Sequence, residues 1–272
     1  MVVMIENGLL SRALNARIMG SGAEAMVLAH GFGTNQSLWD KILPKLCQHY
    51  RVVVFDWSFS GAIKDPNLFD PQKYCSYYGF AQDLIALLEE LGLSSTIFIG
   101  HSMSGLIGCI AYTQSPHLFQ RLILLCASPR YINTEDYEGG FDNSDIEQII
   151  ANIESNYENW ATNFSSLVVD ESDPVSLGRF QKCLHEMRPE VAVSLAKTVF
   201  CSDERDVLEK VDIPCTIVQT KTDIVVPASV ATYMQKKIKG SSTVEVIDTQ
   251  GHFPHLTAHL QLLQVLGAVL GF

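Results

Sequence analysis

Short apolar runs alternate with amphipathic helical stretches along the first half of the chain, and this alternation restricts the fold more than any single residue does. Ala13–Met19 and Ala25–Ala29 read as strands, followed by the loop His30-Gly31-Phe32-Gly33. Gln36–Cys47 reads as a helix with Leu38, Ile42, Leu43 and Leu46 on one face. Arg51–Phe55 is a β-branched run that suits a buried strand. Tyr77–Leu91 repeats Phe80, Leu84, Leu87, Leu88 and Leu91 at helical spacing. Then come a strand at Thr96–Ile99, a helix at Met103–Thr113 and a strand at Leu122–Cys126. Units of this length imply an α/β fold, with a mostly parallel central sheet and helices on both faces.

The rhythm stops after Ser128. From Tyr131 to about Cys201 the pattern is helical, around Asp145–Asn156, Asn159–Val168, Leu177–Met187 and Pro189–Phe200. Pro189 suits a first helical position, where its missing N–H costs little. The alternation returns at Cys215–Gln219, Ser229–Lys237, Val244–Ile247 and Leu260–Leu270. The expected organisation is a core of residues 1–128 and 202–272, with a helical lid of residues 129–201 inserted after strand six. An insertion there stands above the carboxyl ends of the strands, where open α/β sheets bind ligands.

Composition removes several function classes. Of the 272 residues, 47% are hydrophobic and 18% charged, as in an ordinary globular chain. Acids outnumber bases 30 to 19, for a formal charge of −11. That balance offers no footprint for nucleic acid or an anionic membrane surface. Met1–Gly20 carries Glu6, Arg12 and Arg17 and lacks the apolar centre of a signal peptide. The uncharged stretch Leu260–Phe272 is short and reads as a core helix. The seven cysteines (Cys47, Cys75, Cys109, Cys126, Cys183, Cys201 and Cys215) include no C-x-x-C pair, so reduced thiols are expected. The eight histidines show no metal-binding spacing, and neither a metal nor a cofactor is expected.

Gly100-His101-Ser102-Met103-Ser104 sits between a strand and a helix, the context of a nucleophile elbow. Small residues are needed where strand and helix cross. Gly100 supplies one, and Ser104 replaces the usual second glycine. Read alone, Ser102 could be a helix N-cap. Its partners make it a nucleophile, because a serine hydroxyl needs an adjacent base. The loop after Cys215–Gln219 carries Asp223, and the loop after Val244–Ile247 carries His252. The order Ser, acid, His is that of α/β-hydrolases. Asp223 would orient His252, and His252 would take and return the Ser102 proton. His255 and His259 are placed on the final helix, and His101 is expected to pack under the elbow. The oxyanion hole would use the backbone N–H groups of Phe32 and Met103, with both side chains facing the pocket.

The whole chain resembles the plant strigolactone and karrikin receptors, α/β-hydrolases with a four-helix, V-shaped lid. The stretches that carry the resemblance are His30-Gly31-Phe32-Gly33-Thr34-Asn35-Gln36-Ser37-Leu38-Trp39, the elbow with Ser104 at its fifth position, Ser128-Pro129-Arg130-Tyr131-Ile132-Asn133, Asp136-Tyr137-Glu138-Gly139-Gly140-Phe141 and Met187-Arg188-Pro189. Family receptors commonly carry a glycine-rich turn where this chain reads Trp57-Ser58-Phe59-Ser60-Gly61-Ala62-Ile63-Lys64-Asp65. That departure resembles the Dwarf-fourteen-like second paralogue group.

The resemblance implies pocket positions at Phe32, Tyr131, Phe141, Trp160, Phe164 and Phe200, with Val199, Ser202 and Val225 as neighbours. Together they imply an apolar cavity on the order of 300–1,000 Å³, suited to a small neutral butenolide. It implies slow hydrolysis, a ligand-dependent F-box protein partner, and a cytoplasmic and nuclear location. A monomer is expected. Three readings stay open: a ligand-hydrolysing sensor, a general carboxylesterase without signalling, and a binding protein with incidental turnover.

Overall fold

The computed structural model describes residues 9–170 and 172–272; the beginning of the Met1–Gly20 segment lies outside them. In chain order the elements are α1 (Leu9–Ala13), β1 (Arg17–Met19), β2 (Ala25–Ala29), α2 (Leu43–Leu46), β3 (Arg51–Val54), α3 (Tyr77–Glu90), β4 (Thr96–His101), α4 (Met103–Gln114) and β5 (Phe119–Leu125). There follow α5 (Asn143–Ser155), α6 (Tyr157–Val168), α7 (Pro174–Glu186), α8 (Pro189–Phe200), β6 (Cys215–Thr222), α9 (Ala228–Lys237), β7 (Ser242–Gln250), α10 (Pro254–Thr257) and α11 (His259–Leu270). The seven strands form one sheet in the order β1-β3-β2-β4-β5-β6-β7. All neighbours are parallel except β1 and β3.

Side chains on successive strand residues face opposite ways. Val27 and Val53 join the core under α3, α4 and α9. Met26, Leu28, Val52 and Val54 join the core under α2 and α11. Both faces are thus covered, which explains why the central strands read as continuous apolar runs. Strand β7 is an edge, and only part of it is apolar. Its polar ends, including Asp248 and Gln250, carried no strand signal, so it extends beyond Val244–Ile247.

Two early expectations are corrected. The strand expected at Ala13–Met19 is the end of a short helix, a turn and only three strand residues. Asn15 makes that turn at φ 50°, and its amide holds the Asp56 carboxylate and the Ala62 carbonyl. The helix expected at Gln36–Cys47 is two pieces, a 3₁₀ turn at Gln36–Trp39 and then α2. Pro44 cannot donate to a continuous helical ladder, so the second piece starts afresh around it.

Helices α5 to α8 form the insertion, and Pro189 opens α8 as expected. Among the described residues five strands precede it, the last of them β5. Its two ends are stitched together. The Glu204 N–H donates to the Pro129 carbonyl at 2.8 Å, and Arg130 pairs with Asp203 at 2.5 Å. Helix α5 packs on α8, and α6 on α7. Phe180 of α7 reaches down to Phe253, with ring centroids 4.4 Å apart, and is fully buried. Truncation of such a ring leaves a cavity the surroundings fill only partly. Phe180→Ala is expected to lower stability by about 3–5 kcal/mol, read from the urea midpoint. A change within error of zero would mean that this ring does not join insertion to core.

Candidate active site

Strand β4 delivers Ser102 to the carboxyl edge of the sheet, and α4 begins one residue later. The turn is tight enough that Ser102 adopts φ 56° and ψ −125°, a conformation that L residues avoid. Its N–H donates to the Leu125 carbonyl at 2.8 Å, and its carbonyl accepts from Gly105 at 3.0 Å. These bonds help to hold the strained residue in place. A Cβ on Gly100 would stand 2.5 Å from the Ser104 backbone, so the crossing admits only glycine there.

Ser104 does more than fill the fifth elbow position. Its hydroxyl donates to the His30 carbonyl at 2.5 Å and accepts from the Trp57 indole N–H at 2.9 Å. The Trp57 backbone N–H in turn donates to His30 Nε2 at 3.0 Å. His30 therefore carries its proton on Nδ1, facing Gly31 and Thr34. The departing Trp57–Asp65 stretch is thus joined at its first residue to both the elbow and the His30–Gly33 loop.

His252 lies after β7 and Asp223 after β6. The His252 Nε2 is 2.9 Å from Ser102 Oγ, and its Nδ1 is 2.7 Å from Asp223 Oδ2. The Asp223 side chain is fully buried, and its other oxygen accepts the Val225 N–H at 2.8 Å. Nδ1–H therefore donates to the carboxylate, and Nε2 is free to accept the serine proton. Gly251 precedes the histidine at φ 86°, where a Cβ would meet the Val168 carbonyl at 2.8 Å. The His252 N–H donates to that same carbonyl at 2.8 Å. The end of α6 thereby holds the histidine loop.

His101 lies beneath this pair, as expected of it. Its Nε2–H donates to the His252 carbonyl at 2.8 Å, and burial pushes its pKa well down. His259 opens α11, but His255 is on the separate short helix α10. His255 is fully buried against Trp39 and His101 and stays neutral, its pKa pushed down to about 3 by burial. One cluster among the described residues has metal-like donors, namely Cys126, Asp223 and His252. Asp223 and His252 there are already spent on each other, and burial and the nearby Asp223 charge push the Cys126 thiol up.

Neither the Phe32 N–H nor the Met103 N–H finds an acceptor among the described residues. The loop of Phe32 is packed so close that a Cβ on Gly31 would stand 3.1 Å from Ser102 Cβ. The Phe32 ring lines the chamber over Ser102, as expected. The Met103 side chain does not, because the first turn of α4 aims it into the core.

That chamber is lined by Phe32, Tyr131, Phe164, Val199, Phe200, Val225 and Phe253, with Ser102, His101 and His252 at its floor. It measures about 20 Å³, far below the large cavity expected from the sequence. The aromatic rings themselves occupy the space: Phe200 meets Phe32, Tyr131 and Phe141 at 6.3, 5.5 and 5.9 Å. Phe141 and Trp160 line a neighbouring pocket of about 280 Å³ between α5, α6 and Ile224, which shares Phe164 and Val225 with the chamber. Ser202 lines a different surface pocket. Phe253 was missed, although its place directly after His252 could have marked it.

The alpha/beta hydrolase fold family matches residues 24–258. The strigolactone esterase of Arabidopsis thaliana is 42% identical over 258 residues, which cover 95% of this chain and 96% of that protein. The chain belongs to the strigolactone and karrikin receptor family of α/β-hydrolases. A karrikin insensitive 2 receptor of Petunia hybrida is also 42% identical, over 94% of each chain. Members named for either ligand stand equally near, so the likeness establishes the family and not one branch of it. Among solved structures, a hydrolase from Oleispira antarctica superposes with a TM-score of 0.89 at 33% identity, over 94% of this chain and 95% of that one.

In this family member, the buried histidines set a pH limit on stability. Burial holds His30, His101 and His255 below the ordinary imidazole value. The unfolded chain therefore binds more protons than the folded one as the pH falls below about 6.5, and stability drops. Glu204 acts oppositely, since burial raises its carboxyl to about 7 and its contribution fades as the pH rises. Urea unfolding of His255→Phe should therefore show a shallower stability loss between pH 6.5 and 4.5 than the parent. Identical slopes would show that His255 is not held neutral.

Proposed function

We propose that this protein is a slow serine hydrolase for small neutral butenolides of the strigolactone or karrikin type, acting as a ligand sensor. The observation that carries the reading is the hydrogen-bonded Ser102–His252–Asp223 series on the floor of an apolar chamber. Ser102 Oγ attacks the ester or lactone carbonyl while its proton passes to His252 Nε2. Asp223 stabilises the resulting imidazolium. The Phe32 and Met103 N–H groups, both without acceptors among the described residues, receive the developing oxyanion. His252 then returns the proton to the leaving oxygen as the carbon–oxygen bond breaks. Water releases the acyl group, directly or after its transfer to His252.

Residues 129–201 serve as the lid in this reading, and residues 1–128 and 202–272 as the core. The apolar rings over Ser102 favour a neutral ligand. Their close packing supports slow turnover, because they must separate before a butenolide reaches the serine. A ligand-dependent F-box partner and a cytoplasmic and nuclear location belong to the same proposal. Among the described residues no helix is long and apolar enough to cross a membrane. A second reading, an esterase without signalling, is favoured by the likeness to the bacterial hydrolase.

Incubation with a butenolide probe carrying an enol-ether leaving group, followed by mass spectrometry, is expected to find a retained fragment on Ser102 or His252. Ser102→Ala should give none and should lose hydrolysis by about 10⁴-fold or more. Hydrolysis by Ser102→Ala at the parent rate would refute the assignment. Fast multiple turnover of simple aryl esters, without ligand-dependent capture of an F-box protein, would favour the plain esterase.

A further inference from the structure

Tyr131 is fully buried, and its hydroxyl has one hydrogen-bond partner among the described residues, Ser102 Oγ at 3.4 Å. Burial holds the phenol well above its ordinary pKa, so it remains an O–H donor across the working pH range. The serine proton is already directed to His252 Nε2, because the histidine's other nitrogen donates to Asp223. Tyr131 therefore donates and Oγ accepts. At 3.4 Å the contact is long, and it restrains the resting serine little. Six of the side chains around it are apolar, and the Nε2 of His101 is engaged on the His252 carbonyl. A phenol held this way, with so little to bond at rest, is suited to a partner that arrives with the substrate.

The strand order says which substrate atom that is. Strand β4 carries Ser102, and β2 on one flank leads to Phe32, whose N–H has no acceptor among the described residues. Strand β5 on the other flank leads to Tyr131, and β6 and β7 beyond it lead to Asp223 and His252. Tyr131 thus approaches from the side opposite the oxyanion loop and shares a flank with the general base. In a tetrahedral intermediate the carbonyl oxygen turns towards Phe32 and Met103. The leaving oxygen must face His252 Nε2 to receive its proton. It is bonded to the same carbon as Oγ, and on this flank a donor already close to Oγ needs only a small shift to meet it.

We propose that the Tyr131 hydroxyl donates a hydrogen bond to the leaving oxygen as the ester or lactone bond breaks. The inference rests on Ser102 being the nucleophile. The bonding pair of the carbon–oxygen bond goes to the leaving oxygen, and the proton comes from the His252 imidazolium. Tyr131 keeps its own proton and shares it only as a hydrogen bond. In a lactone the same oxygen stays tethered as the ring-opened hydroxyl. The class of substrate favoured is one whose leaving oxygen is basic, an alkoxide or an unactivated enolate. A nitrophenolate leaves readily and gains little from such help.

Tyr131→Phe removes the oxygen and keeps the ring against Phe200. Its kcat/KM should be compared with the parent's over acetate esters of one acyl group, from 4-nitrophenyl through phenyl to ethyl. The loss is expected to be smallest on the 4-nitrophenyl ester and to grow to roughly 10–100-fold at the basic end, while an unchanged melting temperature reports a folded protein. Equal loss on every ester would overturn the proposal, since a packing or serine-positioning role is blind to the leaving group. So would no loss on any. A fluorinated tyrosine at position 131, a stronger donor, should shift the series the other way, and its failure to do so would count against the proposal. Ser102→Ala assayed on the same esters separates the two claims. If it retains activity, the hydrolase reading falls. If activity needs Ser102 yet ignores the Tyr131 oxygen, only this inference falls.

Discussion

The left-handed backbone of Ser102 is the constraint around which the site is arranged. A non-glycine residue at φ 56° costs free energy, on the order of 1–3 kcal/mol. It persists because its neighbours over-determine it. The Leu125 carbonyl holds its N–H, and Gly100 lets the helix cross at close range. The Ser104 hydroxyl ties the next turn to His30 and Trp57. The outcome is a hydroxyl raised above the sheet edge, aligned with an imidazole from a distant strand.

Much of this could be read from the residue order. The central strands β2, β3 and β4 were legible because burial on both faces demands unbroken apolar runs. The elbow was legible because its glycine and serines occur between a strand and a helix. Asp223 and His252 were legible because one is the single carboxylate and the other a histidine of loops that follow strands, in the chain order Ser, acid, His. What could not be read was geometry that depends on close approach. The break at Pro44 and the turn at Asn15 were visible as residues, but their effect required knowing what they pack against. The length of β7 was hidden because an edge strand does not need apolar ends.

The pocket illustrates a deeper limit of pattern. The aromatic positions Phe32, Tyr131, Phe164 and Phe200 do surround Ser102. Their number suggested a large apolar cavity, yet rings that can line a space can equally fill it. Offset and edge-on contacts between rings are favourable in themselves, so an aromatic lid closes on its own side chains. Likewise, the Trp57 departure read in the sequence only as the mark of a paralogue group. In space it is bonded through Ser104 to the turn that carries the nucleophile.

The bond between the His252 N–H and the Val168 carbonyl spans the boundary between the inserted helices and the core. Gly251 leaves no slack there, because a Cβ added to it would stand 2.8 Å from the same carbonyl. The end of α6 cannot swing outward without breaking this bond to the backbone that presents the imidazole. The inserted helices and the loop that carries the imidazole are therefore mechanically linked through one backbone amide, so a substitution that shifts the end of α6 reaches the general base without touching its side chain.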